Sequence, residues 1–167
     1  PRFLCTFGSM KCVILAMKTM TPHSDSPALT FRLGEQIYAF SLDHVVEVAA
    51  MVELIMISES PPDVLGMANR HGELIPIIDL RQMMGLSALA IGLNTLFIVV
   101  KYETTLLGVV VDDILRVEYL PMKQLQQTGT WGKYIEGLMS HHQQTIQFIA
   151  LKAVMARYTG TFSKDSV

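Results

Sequence analysis

The chain has 167 residues, 50% hydrophobic and 17% charged, with a formal net charge of -2 from 13 basic and 15 acidic side chains. That balance excludes a disordered or solvating chain, and without a run of Lys or Arg there is no electrostatic footprint for a nucleic acid or an anionic membrane. A chain of this length buries roughly 70% of its unfolded surface, so it needs no staple to fold; its 2 cysteines, Cys5 and Cys12, both lie near the N-terminus.

Residues 1–28 read as a leader and linker, poorly ordered. The text opens on Pro1, with Met10, Met17 and Met20 as candidate starts. MKCVILAM (10–17) resembles the apolar part of a signal peptide, but Lys18 follows and no small-residue cleavage site does. TPHSDSP (21–27) reads as linker. No apolar run approaches the roughly 18 residues of a spanning helix, so no direct membrane insertion is expected.

From Leu29 the pattern is β. LTFRL and QIYAFSL flank Gly34-Glu35 as a hairpin, VVEVAAMV follows, SESPPD is a loop, and GMANR and ELIPIIDL flank His71-Gly72. ELIPIIDL is apolar at consecutive positions, so both of its faces are expected to be covered; Pro76 within it calls for an edge or a bulge. Asp79 is placed to cap LRQMM, with Gly85 to end that turn. Asp43 and Asp112 each precede a turn as candidate caps. LKAVMARY (151–158) reads as a short helix and 159–167 as a polar tail.

The second half repeats the first. TLFIVVKY and TLLGVVVD form another hairpin around Glu103-Thr104. AFSLDHVVEV (39–48) aligns with GVVVDDILRV (108–117), and GMANRHGELIPIIDLR (66–81) with GLMSHHQQTIQFIALK (137–152). Gly66 then meets Gly137, and His71 meets His142; the two registers differ by two residues. Two copies of one five-stranded unit, each too small to bury a full core, should share an apolar seam, and ELIPIIDL is the candidate strand for it.

Asn69-Arg70-His71-Gly72-Glu73 packs an amide, two possible cations and a carboxylate into five residues. No Ser, Cys or Thr lies within 65–80, so no nucleophile accompanies them; a polar turn and a protein-contact surface both fit. His141 and His142 are adjacent, so on a strand they face opposite sides, and no metal site or cofactor is expected. The glycines Gly34, Gly66, Gly108 and Gly137 form no phosphate-binding motif and suggest turns or close strand approach.

On these residues the chain resembles the CheW-like domain family. The resemblance is carried by LTFRLGEQIYAFSLDHVVEV, PPDVLGMANRHGELIPIIDLRQMMGL, TLFIVVKYETTLLGVVVDDILRVEYL and YIEGL, and it covers about residues 29–155. It implies an all-β fold with short helices, two five-stranded β-barrel lobes related by duplication. The implied domain is 29–158, with lobe one about 29–92 and lobe two about 93–155. It also implies no catalysis: a cytoplasmic adaptor at receptor arrays on the inner membrane, bridging a chemoreceptor cytoplasmic tip to the regulatory domain of a CheA-type histidine kinase. A CheW-like subunit of a related pathway such as pilus motility, and a small-ligand-binding β-barrel, are the alternatives.

The resemblance makes Val45, Glu47, Gly66, Asn69, Arg70, His71 and Gly108 the candidate partner-binding residues. Val45 is expected to bring apolar contact, Gly66 a surface that no side chain obstructs, and Glu47, Arg70 and His71 charge complementarity. One feature departs from the family pattern: arginine usually stands just before the turn glycine, whereas the order here is Arg70-His71-Gly72.

Overall fold

Four two-residue turns set the frame. β1 (Ser26–Leu33) and β2 (Gln36–Ser41) join through Gly34-Glu35, and β6 (Leu96–Tyr102) and β7 (Thr105–Val111) through Glu103-Thr104. β4 (Val64–Arg70) and β5 (Glu73–Ile78) turn at His71-Gly72, with φ of 54° and 83°. β10 (Ile135–His141) and β11 (Gln144–Ile149) turn at His142-Gln143, with φ of 49° and 63°. Two successive left-handed residues make a type I′ turn, whose twist matches that of the strands it joins. The remaining strands are β3 (Val45–Ala50), β8 (Asp113–Leu120) and the two-residue β9 (Gln126–Gln127). The computed structural model describes residues 14, 25–88, 90–129 and 132–158.

The strands form a five-stranded sheet, β3-β6-β7-β5-β4, and a six-stranded sheet, β8-β1-β2-β11-β10-β9. Matching β1 to β6, β2 to β7, β3 to β8, β4 to β10 and β5 to β11, as the sequence repeat does, converts one order into the other, with β9 added. The expected duplication is therefore present strand by strand. Its partition differs from a cut near residue 92: each sheet takes the first hairpin of one half and the later strands of the other. Each hairpin joins the other half by an antiparallel pairing on one side, β1 with β8 and β6 with β3, and by a parallel pairing on the other, β2 with β11 and β7 with β5. Exchanging hairpins lets each half cover an apolar face that it cannot bury alone.

Irregularities repeat as well. The register shifts between Val45 and Glu47 on β3, where Val46 bulges, and the matching shift on β8 leaves Leu115 out. It shifts again between Val64 and Gly66, and between Ile135 and Gly137. Pro76 pairs with Met67 of β4, while the β7 side of β5 pairs only from Ile77 onward. A missing N–H thus breaks no ladder bond there, as expected of a strand proline.

Three apolar clusters hold the sheets. The largest draws on both, with Leu29, Phe31 and Phe40 from one and Val45, Ile78, Ile98 and Val109 from the other. It is the shared seam. Ile75 and Ile77 face a smaller cluster that belongs to the five-stranded sheet, so β5 is covered on both faces as its composition predicts. The two outer clusters trade volume at matched positions. Phe97, Gly108, Ala68 and Ile77 fill one; Ala28, Ala39, Met139 and Phe148 fill the other. Each carries its bulk on different strands.

Two helices close the halves. α1 (Leu80–Met83) is capped by Asp79, whose carboxylate accepts from the Arg81 N–H at 3.0 Å, and Gly85 (φ 69°) follows it. α2 (Leu151–Ala156) buries Leu151, Val154 and Met155. Asp43 and Asp112 do not cap turns. The 3₁₀ turn Leu42–His44 has Ser41 at its cap position, without a side-chain bond. Asp112 instead accepts from the Gly34 N–H at 2.6 Å and from Arg81 at 2.5 Å. Arg81, 2% exposed, also holds Asp79 at 2.8 Å, so a single buried guanidinium ties α1 to the β1–β2 turn. β1 begins at Ser26, within the expected linker, because Ser26 and Pro27 already pair with Leu120 and Tyr119 of β8. Of the expected leader, Ile14 is buried in the seam; most of the rest, and the tail 159–167, lie outside the described residues.

Candidate functional site

β3 and β4 are the two edges of the five-stranded sheet, yet their side chains meet. Glu47 on β3 accepts from Arg70 on β4, from Nε at 3.0 Å and from Nη2 at 2.7 Å, both at Oε1. The sheet is thus curled until an ion pair spans its edges. Glu47 is 4% exposed, and a carboxylate taken out of water must be compensated in place. The Arg70 guanidinium also lies 6.0 Å from the centre of the Phe97 ring.

The type I′ turn sits beside this pair. Asn69 Oδ1 accepts from the Gly72 N–H at 3.1 Å, holding the turn closed. His71, held left-handed, projects outward with its side chain 73% exposed, and its Nε2 lies 3.8 Å from the second oxygen of Glu47. Leu74, on β5 opposite Asn69, and Val46, at the β3 bulge, are exposed apolar residues.

Of the seven residues singled out in the sequence, Glu47, Asn69, Arg70 and His71 come together. Three do not. Val45 is 0% exposed within the seam, out of a partner's reach, and the bulge presents Val46 in its place. Gly66 is buried because the chain itself covers it: Ile55 and Met67 exchange backbone bonds of 2.8 Å, and a Cβ on Gly66 would stand 2.8 Å from the Ile55 carbonyl. Gly108 makes room for Ile77, whose Cδ1 would lie 2.2 Å from an added Cβ. The last two are glycines of close approach, as the plainer sequence reading held. The displaced Arg70 finds its carboxylate within the chain, leaving His71 at the exposed turn position.

The matched corner of the six-stranded sheet has a different composition. Glu118 on β8 accepts from Arg116 Nε at 2.9 Å, and its other oxygen lies 3.6 Å from His141 Nε2 at the end of β10. The His141 and His142 rings are 4.1 Å apart, edge to face. The expectation that these neighbours face apart fails because His142 has left the strand: at φ 49° it is the first residue of the turn, and its ring returns to the same side.

Asp63, between SESPP and β4, is a residue that sequence reasoning passed over. It is buried and accepts from Arg157 at 2.9 and 3.1 Å and from the Tyr158 hydroxyl, docking the end of α2. Burial works to raise its carboxyl, but the hydrogen bonds from Arg157 and Tyr158 outweigh burial and hold it below the usual carboxylate range. Burial first, and the Asp63 carboxylate second, push the Tyr158 hydroxyl far up. The only advance signal was a carboxylate flanked by apolar residues after two prolines.

Residues 27–158 match a family model described as CheW-like domain. The chemotaxis protein CheW of Treponema pallidum is 31% identical over 120 residues, covering 66% of this chain and 71% of the relative. That of Thermotoga maritima is 25% identical over 147 residues, covering 86% and 97%. In structure the chain is similar to the scaffolding protein TtCheW from Thermoanaerobacter tengcongensis, with a TM-score of 0.70 at 23% identity, covering 75% of this chain and 88% of that one.

Proposed function

The chain belongs to the CheW-like domain family, and from that premise we propose that it is a non-catalytic adaptor coupling chemoreceptors to a CheA-type histidine kinase in chemotaxis signalling. The observation that carries the reading is the family match over 27–158, which spans both sheets. An adaptor makes no bonds; it acts by binding one arrangement of its partners better than another.

The contact surface we assign is the β4–β5 turn with Asn69, Arg70 and His71, flanked by Val46 and Leu74. Burying such apolar side chains contributes about 25 cal/mol per Å², while the ion pair and the histidine give register and selectivity. The partners are the kinase regulatory domain and the receptor tip, and the place of action is the cytoplasmic side of the receptor array. Among the described residues no helix is long and apolar enough to cross a membrane. The interior favours this reading over a ligand-binding barrel. The seam is filled by side chains, and the surface hollow beside Thr95 presents an Arg81 that Asp79 and Asp112 already occupy.

The test is co-elution in size-exclusion of the chain with a kinase regulatory domain and, separately, with a receptor-tip fragment. A kinase of pilus motility in a parallel run distinguishes the pathways. Leu74→Asp and Val46→Asp should each lose co-elution while circular dichroism stays unchanged. A wild-type chain that elutes alone in every run overturns the proposal.

A further inference from the structure

We propose that Glu118, His141 and His142 form a binding site for a divalent transition metal of the zinc class. The donor atoms of these three residues lie within 4.8 Å of one another. Two imidazoles and a carboxylate are a donor set that suits zinc, and three protein ligands leave a fourth position for water. In tetrahedral zinc with bonds near 2.1 Å, neighbouring donors stand about 3.4 Å apart, so the site must draw in by roughly an ångström. The ligand that must move is the exposed one: His142 stands out on a turn, whereas His141 and Glu118 are largely buried, with side chains 20% and 15% exposed.

The surroundings favour the assignment. Arg116 Nε donates to Oε1 of Glu118 at 2.9 Å, which holds the carboxylate and leaves Oε2 turned toward His141; the Thr30 hydroxyl beside it donates to the Arg116 carbonyl at 3.0 Å. Carboxylates that bind metals are commonly held this way by outer partners. Arg116 brings a cation against the cluster, but it lies on the oxygen that faces away from the imidazoles. The duplication gives the second argument. In the matched corner Arg70 reaches across from the opposite edge strand to Glu47; here that strand presents His141. An imidazole gives no permanent charge, but it binds a metal that an arginine cannot. Bound there, the metal would join β8 to the β10–β11 turn, as Arg70 joins β4 to β3.

The test is calorimetric titration of the full chain with zinc chloride at pH 7.5, alongside a Cys5→Ser/Cys12→Ser chain so that thiolate binding reads separately. The expected result is one site per chain, kept in the cysteine variant. His141→Ala and His142→Asn should each weaken it at least about tenfold, Glu118→Gln several-fold, and His71→Asn not at all. Asn tolerates the left-handed position of residue 142, so the turn survives that change. The melting temperature should rise with zinc in the wild type and not in His142→Asn. Binding that vanishes with the cysteines, or that persists at full strength in His142→Asn, overturns the proposal. Neither outcome bears on the adaptor reading, which the co-elution runs test separately.

Discussion

At one corner of the molecule a guanidinium spans the two edges of a sheet; at the matched corner the imidazole of His141 stands where it would be, beside that of His142. Both corners arise from the same strands of a duplicated unit, beside the same type of turn, over outer clusters of complementary shape. The backbone plan is therefore shared, and the difference lies in how permanent the closure is. Arg70 is charged at every accessible pH, so the Glu47 corner is closed unconditionally. The Glu118 corner has imidazoles in place of that fixed charge. Duplication preserved the register and left the chemistry of each corner free to diverge.

The largest expected effect tests the shared plan. Gly66→Ala should destabilise by about 4 kcal/mol, at the far end of single-residue effects, because backbone blocks the new Cβ at 2.8 Å and the glycine sits at φ 148°. Gly137→Ala meets the Gln126 carbonyl at the same 2.8 Å but lacks the left-handed backbone, so it should cost less. Denaturant midpoints measure both. Equal losses would mean that steric contact alone sets the cost.

Next comes the chemistry. Arg70→Ala leaves Glu47 buried without its cation and should cost about 2–4 kcal/mol. His141→Ala removes a looser contact, 3.6 Å from Glu118, and without metal should cost at most about 1 kcal/mol. If thermal melts show the two losses alike, the corners do not differ in the way the side chains indicate.

Asp63 adds an asymmetry between the halves, since the repeat sets Tyr134 at the matching position of the second half. Its folded pKa is depressed, so the stabilisation it gives is present above its unfolded value of about 3.9 and is lost as pH falls through the folded value. Asp63→Asn should therefore cost about 2 kcal/mol at pH 7 and much less near pH 2. Melting temperatures from pH 7 to pH 2 in both proteins check this; curves that stay parallel to the acid end would refute it.

Much of this was legible in the residues. Alternation, two-residue turns and the internal match gave the strands, their order within each half and the seam strand ELIPIIDL, because period and turn chemistry are local. The exchange of hairpins between halves was not, since parallel pairing leaves no local mark. The bulge at Val46 was also hidden: it turns Val46 outward and Val45 into the seam, so the outward-facing apolar residue was placed one position early. A bulge is visible only against its partner strand. For the same reason His141 and His142 read as opposed until the turn geometry placed both rings together.

The smallest stability effect is the one most informative about partners. His71 is exposed and 3.8 Å from Glu47, so His71→Asn, which keeps a residue that tolerates the left-handed turn position, should shift stability by less than about 0.5 kcal/mol. The double variant Arg70→His/His71→Arg reverses the order of the two residues. It moves the arginine to the exposed turn position, while the imidazole inherits Glu47. Binding to a standard kinase regulatory domain should then strengthen, measured by co-elution or titration, with a partial loss of stability from the weaker internal pair. Unchanged binding would place this turn outside the interface. Strengthened binding would mean that the wild type spends its arginine on closing its own sheet and meets its partner with a histidine.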